Sequence, residues 1–96
     1  MNETCLRLGR AIAAACPPGF EVAELGAQLD GKRVGLWLRT TTDQNWTVDL
    51  DPTPYSEEFL ACLRLIRDDM AKDGSTPWQK CTVTLKKGGG FSIDTE

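Results

Sequence analysis

The sequence contains no histidine. That removes the commonest general base and the usual serine and cysteine triads. Its cysteines, Cys5, Cys16, Cys62 and Cys81, stand 11, 46 and 19 residues apart, so no C-x-x-C pair exists. Without histidine a zinc site would need all four thiolates, and those separations do not match metal-ligand spacing. A Cys5–Cys16 bridge is excluded by geometry. Eleven residues of helix rise about 16 Å, whereas a disulfide needs Cα atoms within about 7 Å. The expectation is buried free thiols in a reducing cytosol. Also missing is any apolar run near the ~20 residues that span a bilayer. The first residues carry no basic segment, and Cys16-Pro17-Pro18 follows Ala11–Ala15 where a signal peptide would have a cleavage site. A cytoplasmic location with no membrane contact is expected. Excess positive charge is absent too: 11 bases against 14 acids give −3. This argues against direct nucleic-acid binding, which calls for a basic patch.

What remains is an ordinary globular composition, 41% apolar and 26% charged over 96 residues. It is enough for one domain, residues 1–96, with one core. The first element reads as a helix, with Asn2 or Thr4 as cap and Cys5, Leu8, Ile12 and Cys16 on one face. Pro17-Pro18-Gly19 ends it. Alternation over 21–29 and 33–40, joined by Asp30-Gly31, predicts a hairpin. Val34, Leu36 and Leu38 fall on one face of its second strand, with Gly35, Trp37 and Arg39 on the other. A third strand over 46–50 puts Trp46, Val48 and Leu50 inward, with Thr47, Asp49 and Asp51 outward. Thr53-Pro54 or Ser56 starts a second helix running to about Asp73 and stopped by Gly74. Its buried stripe is Phe59, Cys62, Leu63, Ile66 and Met70. A last hairpin joins 80–86 to a strand from Phe91 through Gly88-Gly89-Gly90. The order α-β-β-β-α-β-β predicts an α+β fold. An antiparallel sheet of four to five strands would carry two helices on one face.

Candidate chemistry is sparse. Asp49 and Asp51 could pair to bind a hard cation or do acid–base work, against the alternative of a solvated strand face. Glu58 and Asp69 are three helical turns apart. The glycine run lacks the following helix and the Gly-Lys-Ser/Thr of a phosphate loop, so it reads as a turn. Trp46 and Trp78 are expected in the core or at its rim. Trp37 is either packed or an interface residue, a role for which tryptophan is enriched. No cofactor, no metal and no catalytic residue is expected.

Charge is unevenly placed. Residues 1–42 hold four acids and five bases, residues 43–73 eight and three, and residues 74–96 two and three. The sums are +1, −5 and +1. The acidic stretch is either a solvated face or a surface that meets a basic partner, since complementary charge steers encounters.

The tail adds a resemblance. Pro77-Trp78, then Cys81-Thr82-Val83-Thr84-Leu85, then Gly90-Phe91-Ser92-Ile93-Asp94 resembles the end of the YezG-like immunity proteins. The helix over 55–73, and the early helix followed by Pro18 and Phe20, fit the same layout. The tyrosine that closes the family pattern is absent, the sequence ending at Glu96. The resemblance implies an immunity protein of a polymorphic or contact-dependent toxin system. Such a protein binds and neutralises a cognate toxin C-terminal domain, often a basic nuclease, and is a monomer or weak dimer when free. Candidate toxin contacts are then Asp43, Asp49, Asp51, Glu57, Glu58, Asp68, Asp69 and Asp73, with Trp37 or Arg39 as an alternative centre. A small acidic adaptor or secretion-chaperone-like module is the rival, and an exposed apolar groove with obligate dimerisation would mark it.

Overall fold

The computed structural model describes residues 3–30, 33–72, 74 and 77–95. Two helices lie on one face of a five-stranded antiparallel sheet, the α+β arrangement that the alternating patterns predict. The elements are α1 (Glu3–Ala15), β1 (Phe20–Asp30), β2 (Arg33–Thr42), β3 (Thr47–Leu50), a 3-10 turn (Thr53–Tyr55), α2 (Ser56–Met70), β4 (Lys80–Lys86) and β5 (Gly90–Thr95). Strand order is β3-β2-β1-β4-β5, so β1 is central and β3 and β5 are the edges.

The strands alternate as a half-buried sheet requires. Ala23, Leu25, Ala27 and Leu29 of β1 face the helices and are buried. Pairing carries that face outward: Leu25 stands opposite Leu38 of β2 and Val83 of β4, and Val83 opposite Ile93 of β5. From above, α1 contributes Leu8, Ala11 and Ile12, and α2 contributes Phe59, Cys62, Leu63 and Ile66. These residues and Trp78 make one core cluster. Each fully buried large side chain contributes about 1.5–3 kcal/mol.

The structure departs from the sequence reading in several places. Met70 is 46% exposed rather than part of the α2 stripe, because α2 ends there, short of residue 73. Neither Thr53 nor Ser56 caps α2. Pro54 instead sits in the 3-10 turn, and no side-chain cap bond forms at either start. β2 extends to Thr42, and Trp46 precedes β3 rather than opening it. The Trp46 N–H donates to the Thr42 hydroxyl at 3.3 Å, and the Thr42 N–H to the Trp46 carbonyl at 2.9 Å. Asn45, at φ 62°, lets the chain reverse this tightly. Trp46 is 69% exposed, not core, and Val48 is 44% exposed. α1 packs over β1 and β4, away from edge strand β3. Trp78, by contrast, is buried as expected. The Asn2 cap and the Gly31 turn position lie outside the described residues.

Candidate binding surface

Among the described residues, no element forms a layer over the second face of the sheet. Across its middle the register sets out two rows. One is Trp37 (β2), Gly26 (β1), Thr82 (β4) and Asp94 (β5); the other is Asp49 (β3), Arg39 (β2), Glu24 (β1), Thr84 (β4) and Ser92 (β5).

Gly26 shapes this surface. The Trp37 indole lies across it so closely that a Cβ built on Gly26 would overlap the ring. The ring is thus held flat on the backbone of the central strand, yet stays 44% exposed. The Arg39 guanidinium carbon stands 5.6 Å from the ring centroid, within cation–π range. The Arg39 Nε–H donates to Asp49 Oδ1 at 3.1 Å, across a directly paired β2–β3 position. Asp49, Arg39 and Trp37 therefore form a chain of contacts over the open face. Beside the indole is a hollow of about 440 Å³ lined by Gln28, Gly35, Lys80, Thr82 and Asp94, among others.

The acidic candidates do not gather into one face. Asp49 lies on the open sheet face, while Glu57, Glu58, Asp68 and Asp69 ride on α2 in the opposite layer. Glu58 and Asp69 are separated by about 16 Å of helix rise. Asp43 is exposed in the β2–β3 turn. Asp51 lies past the end of β3, so it does not share a strand face with Asp49. Its Oδ1 accepts the Thr53 hydroxyl at 2.6 Å and the Thr53 N–H at 3.0 Å, and these bonds hold its carboxyl below the usual range. Asp73 lies outside the described residues.

Several of these acids are already engaged. Glu58 pairs with Arg7 of α1, and the hydrogen bond from that guanidinium lowers its pKa. Asp69 pairs with Lys72 at 3.0 Å. Asp43, Glu57 and Asp68 form no ion pair among the described residues.

Three of the thiols offer little nucleophilicity. Burial pushes Cys16, Cys62 and Cys81 up to about 11, so they stay protonated at neutral pH. Among the described residues no group of three or more cysteine, aspartate or glutamate side chains is placed to hold a metal ion. No described helix is long and apolar enough to cross a membrane.

A second surface went unread in the sequence. Leu6, Gly9 and Ala13 of α1, with Phe20, Leu85 and Phe91, line an apolar groove of about 410 Å³ beside the β4–β5 hairpin. Leu6 is 45% exposed there. Gly9 sets the helix close to Phe91, whose ring carbons would lie 3.8 Å from an added Cβ.

No family model matches the chain. An alignment over 99 residues gives 30% identity to vitamin K-dependent protein C of Rattus norvegicus, covering 95% of this chain and 21% of that protein. The chain spans about a fifth of that protein's length, and the alignment assigns no family.

Proposed function

We propose that this chain acts by binding another protein rather than by catalysis, with the uncovered face of its sheet as the contact surface. The observation that carries this reading is Trp37, laid flat over Gly26 and left exposed. An aromatic ring fixed in place is a low-entropy anchor, and tryptophan and arginine are the residues most enriched where interfaces concentrate their energy. Asp49 fixes Arg39 beside it. In line with the tail resemblance, the partner is a cognate toxin domain, held inactive in the cytoplasm by an immunity protein. The engagement of Glu58, Asp69, Asp49 and Asp51 leaves Asp43, Glu57 and Asp68 as the acids most available for steering a basic partner.

The test is co-purification of the chain with the protein encoded beside it, followed by titration calorimetry. The expected result is a one-to-one complex that Trp37→Ala weakens. Absence of a complex at micromolar concentration, or an affinity unchanged in Trp37→Ala, refutes this assignment of the surface.

A secretion-chaperone-like adaptor is the second reading, and the apolar groove between α1 and the β4–β5 hairpin favours it. Sedimentation of the free chain separates the two. An obligate dimer that Leu6→Glu dissociates supports the adaptor, and a monomer at tens of micromolar supports the inhibitor.

A further inference from the structure

The two edges of the sheet are guarded differently. β3 is four residues long, and its Asp49 is tied to Arg39 of the neighbouring strand. β5 runs for six residues, Gly90–Thr95, in unbroken register with β4. Among the described residues no strand pairs with its other side, and no loop backbone bond reaches it. Exposed edges are usually blunted by proline, by lysine, by a bulge or by shortness. β5 carries no proline, lysine or bulge, and Asp94 is its one charged residue. On the helix side of the sheet, its Phe91 and Ile93 pack against the core yet stay half-buried.

Residues directly opposite each other in an antiparallel pair point to the same face, so a strand laid on this edge should set apolar positions against apolar ones. β5 does this with a copy of itself. With the two-fold axis at Ser92, Phe91 of each copy stands opposite Ile93 of the other, and Gly90 opposite Asp94. An axis at Ile93 would set Phe91 against Thr95, and an axis at Phe91 would set Ile93 against Gly89 in the turn. The charges agree with the Ser92 register. Lys86 is the β4 partner of Gly90. Its Cβ, Cγ and Cδ lie 3.2, 3.6 and 3.5 Å from where a Gly90 Cβ would stand, so the stem leans over β5, toward the free edge. Neither Lys86 nor Asp94 forms an ion pair among the described residues. About Ser92, the Asp94 of each copy arrives beside Gly90 of the other, on the face over which Lys86 leans. Two identical Lys86–Asp94 pairs would then close the contact.

We propose that β5 pairs with β5 of a second copy of this chain, antiparallel about Ser92, to make a two-fold dimer with one continuous sheet. Six residues a side make a small contact beside the roughly 1,200–2,000 Å² of a stable interface, so the dimer is weak, with a Kd on the order of 0.1–1 mM. The chain stays a monomer at tens of micromolar, which separates this pairing from the obligate dimer of an adaptor. The Trp37 surface is not used. Both open faces lie on one side of the joined sheet, so the dimer presents two Trp37 surfaces together.

Amide resonances of the intact chain, followed by dilution from about 2 mM to about 0.02 mM on either side of that Kd, report the pairing. The expected result is a concentration-dependent shift concentrated in residues 91–94, with sedimentation at the upper end showing a dimer. Lys86→Asp and Asp94→Lys should each weaken the dimer roughly tenfold, because two attractive pairs become repulsive. The double variant Lys86→Asp/Asp94→Lys should recover the original affinity, which a change in fold would not do. Both side chains are exposed, so the melting temperature should move little in any of the three. A monomer throughout the range, shifts centred away from β5, or single variants that dimerise as well as the parent overturn the proposal. Protection of the β5 amides only in complex with a different protein assigns the edge to a partner's strand, and overturns it as well.

Discussion

Among single residues, Gly26 and Trp37 act as one unit. A side chain at Gly26 has nowhere to go but into the indole, so Gly26→Val should lift Trp37 off the sheet. Partner affinity should then fall about as far as in Trp37→Ala, by about 2 kcal/mol or more if the ring is the anchor. Removing the half-covered ring should cost about 1 kcal/mol of stability, which denaturant melts would check. The buried thiols give a second expectation. Cys16, Cys62 and Cys81 are held protonated up to about 11 by burial, above the ordinary thiol value near 8.5. A raised pKa in the fold means stability that is complete below the unfolded value and is lost as pH rises toward the folded one. The folded chain should therefore weaken between about pH 8.5 and 11. Replacing Cys81 with alanine should flatten part of that decline in melts recorded against pH, and the buried Cys62 and Cys81 should resist alkylation at pH 7 until the chain unfolds.

Between elements, the two helices are tied to each other as well as to the sheet. Arg7 of α1 pairs with Glu58 of α2, and the Tyr55 hydroxyl donates to the Ala14 carbonyl at 3.2 Å. Arg7 holds the Glu58 carboxyl below its usual value. A lowered carboxylate pKa contributes stability that is present above the unfolded value, near 4.3, and is lost as pH falls through the folded one. Glu58→Gln should remove that acid-side loss, and carbon-detected titration should place the Glu58 midpoint below an ordinary glutamate. Both side chains are solvent-exposed, so screening keeps the effect on stability small. Packing carries far more. Leu63 is fully buried between α2 and the sheet, and Leu63→Ala should cost about 2–5 kcal/mol in chemical denaturation.

For the whole molecule, charge and aromatic surface point in different directions. The open sheet face mixes Asp49, Glu24 and Asp94 with Arg39, Lys80 and Lys86, whereas the acids of α2 lie in the helical layer. A partner anchored on Trp37 should therefore meet the acidic layer mainly through long-range steering. Association should slow with added salt while dissociation changes little, which stopped-flow fluorescence of Trp37 would resolve. If Asp43, Glu57 and Asp68 set the interface instead, their neutralisation to Asn or Gln should raise the dissociation rate.

The sequence by itself determined the order of elements and the sided character of every strand. Alternation and helical spacing are local, and burying one face of each element leaves few arrangements for a chain this short. It also held more of the site than its motifs suggest. With Asp30 opposite Arg33, counting back along both strands brings Gly26 opposite Trp37. An interior strand glycine is itself a sign of close approach. Only the tertiary structure decided which acids stand together. The −5 segment runs through a turn, an edge strand and a helix that face different ways, so a run of charge in sequence became separate charges in space. Trp46 and Met70 became exposed for the same kind of reason: an inward position in a pattern is buried only where another element reaches over it.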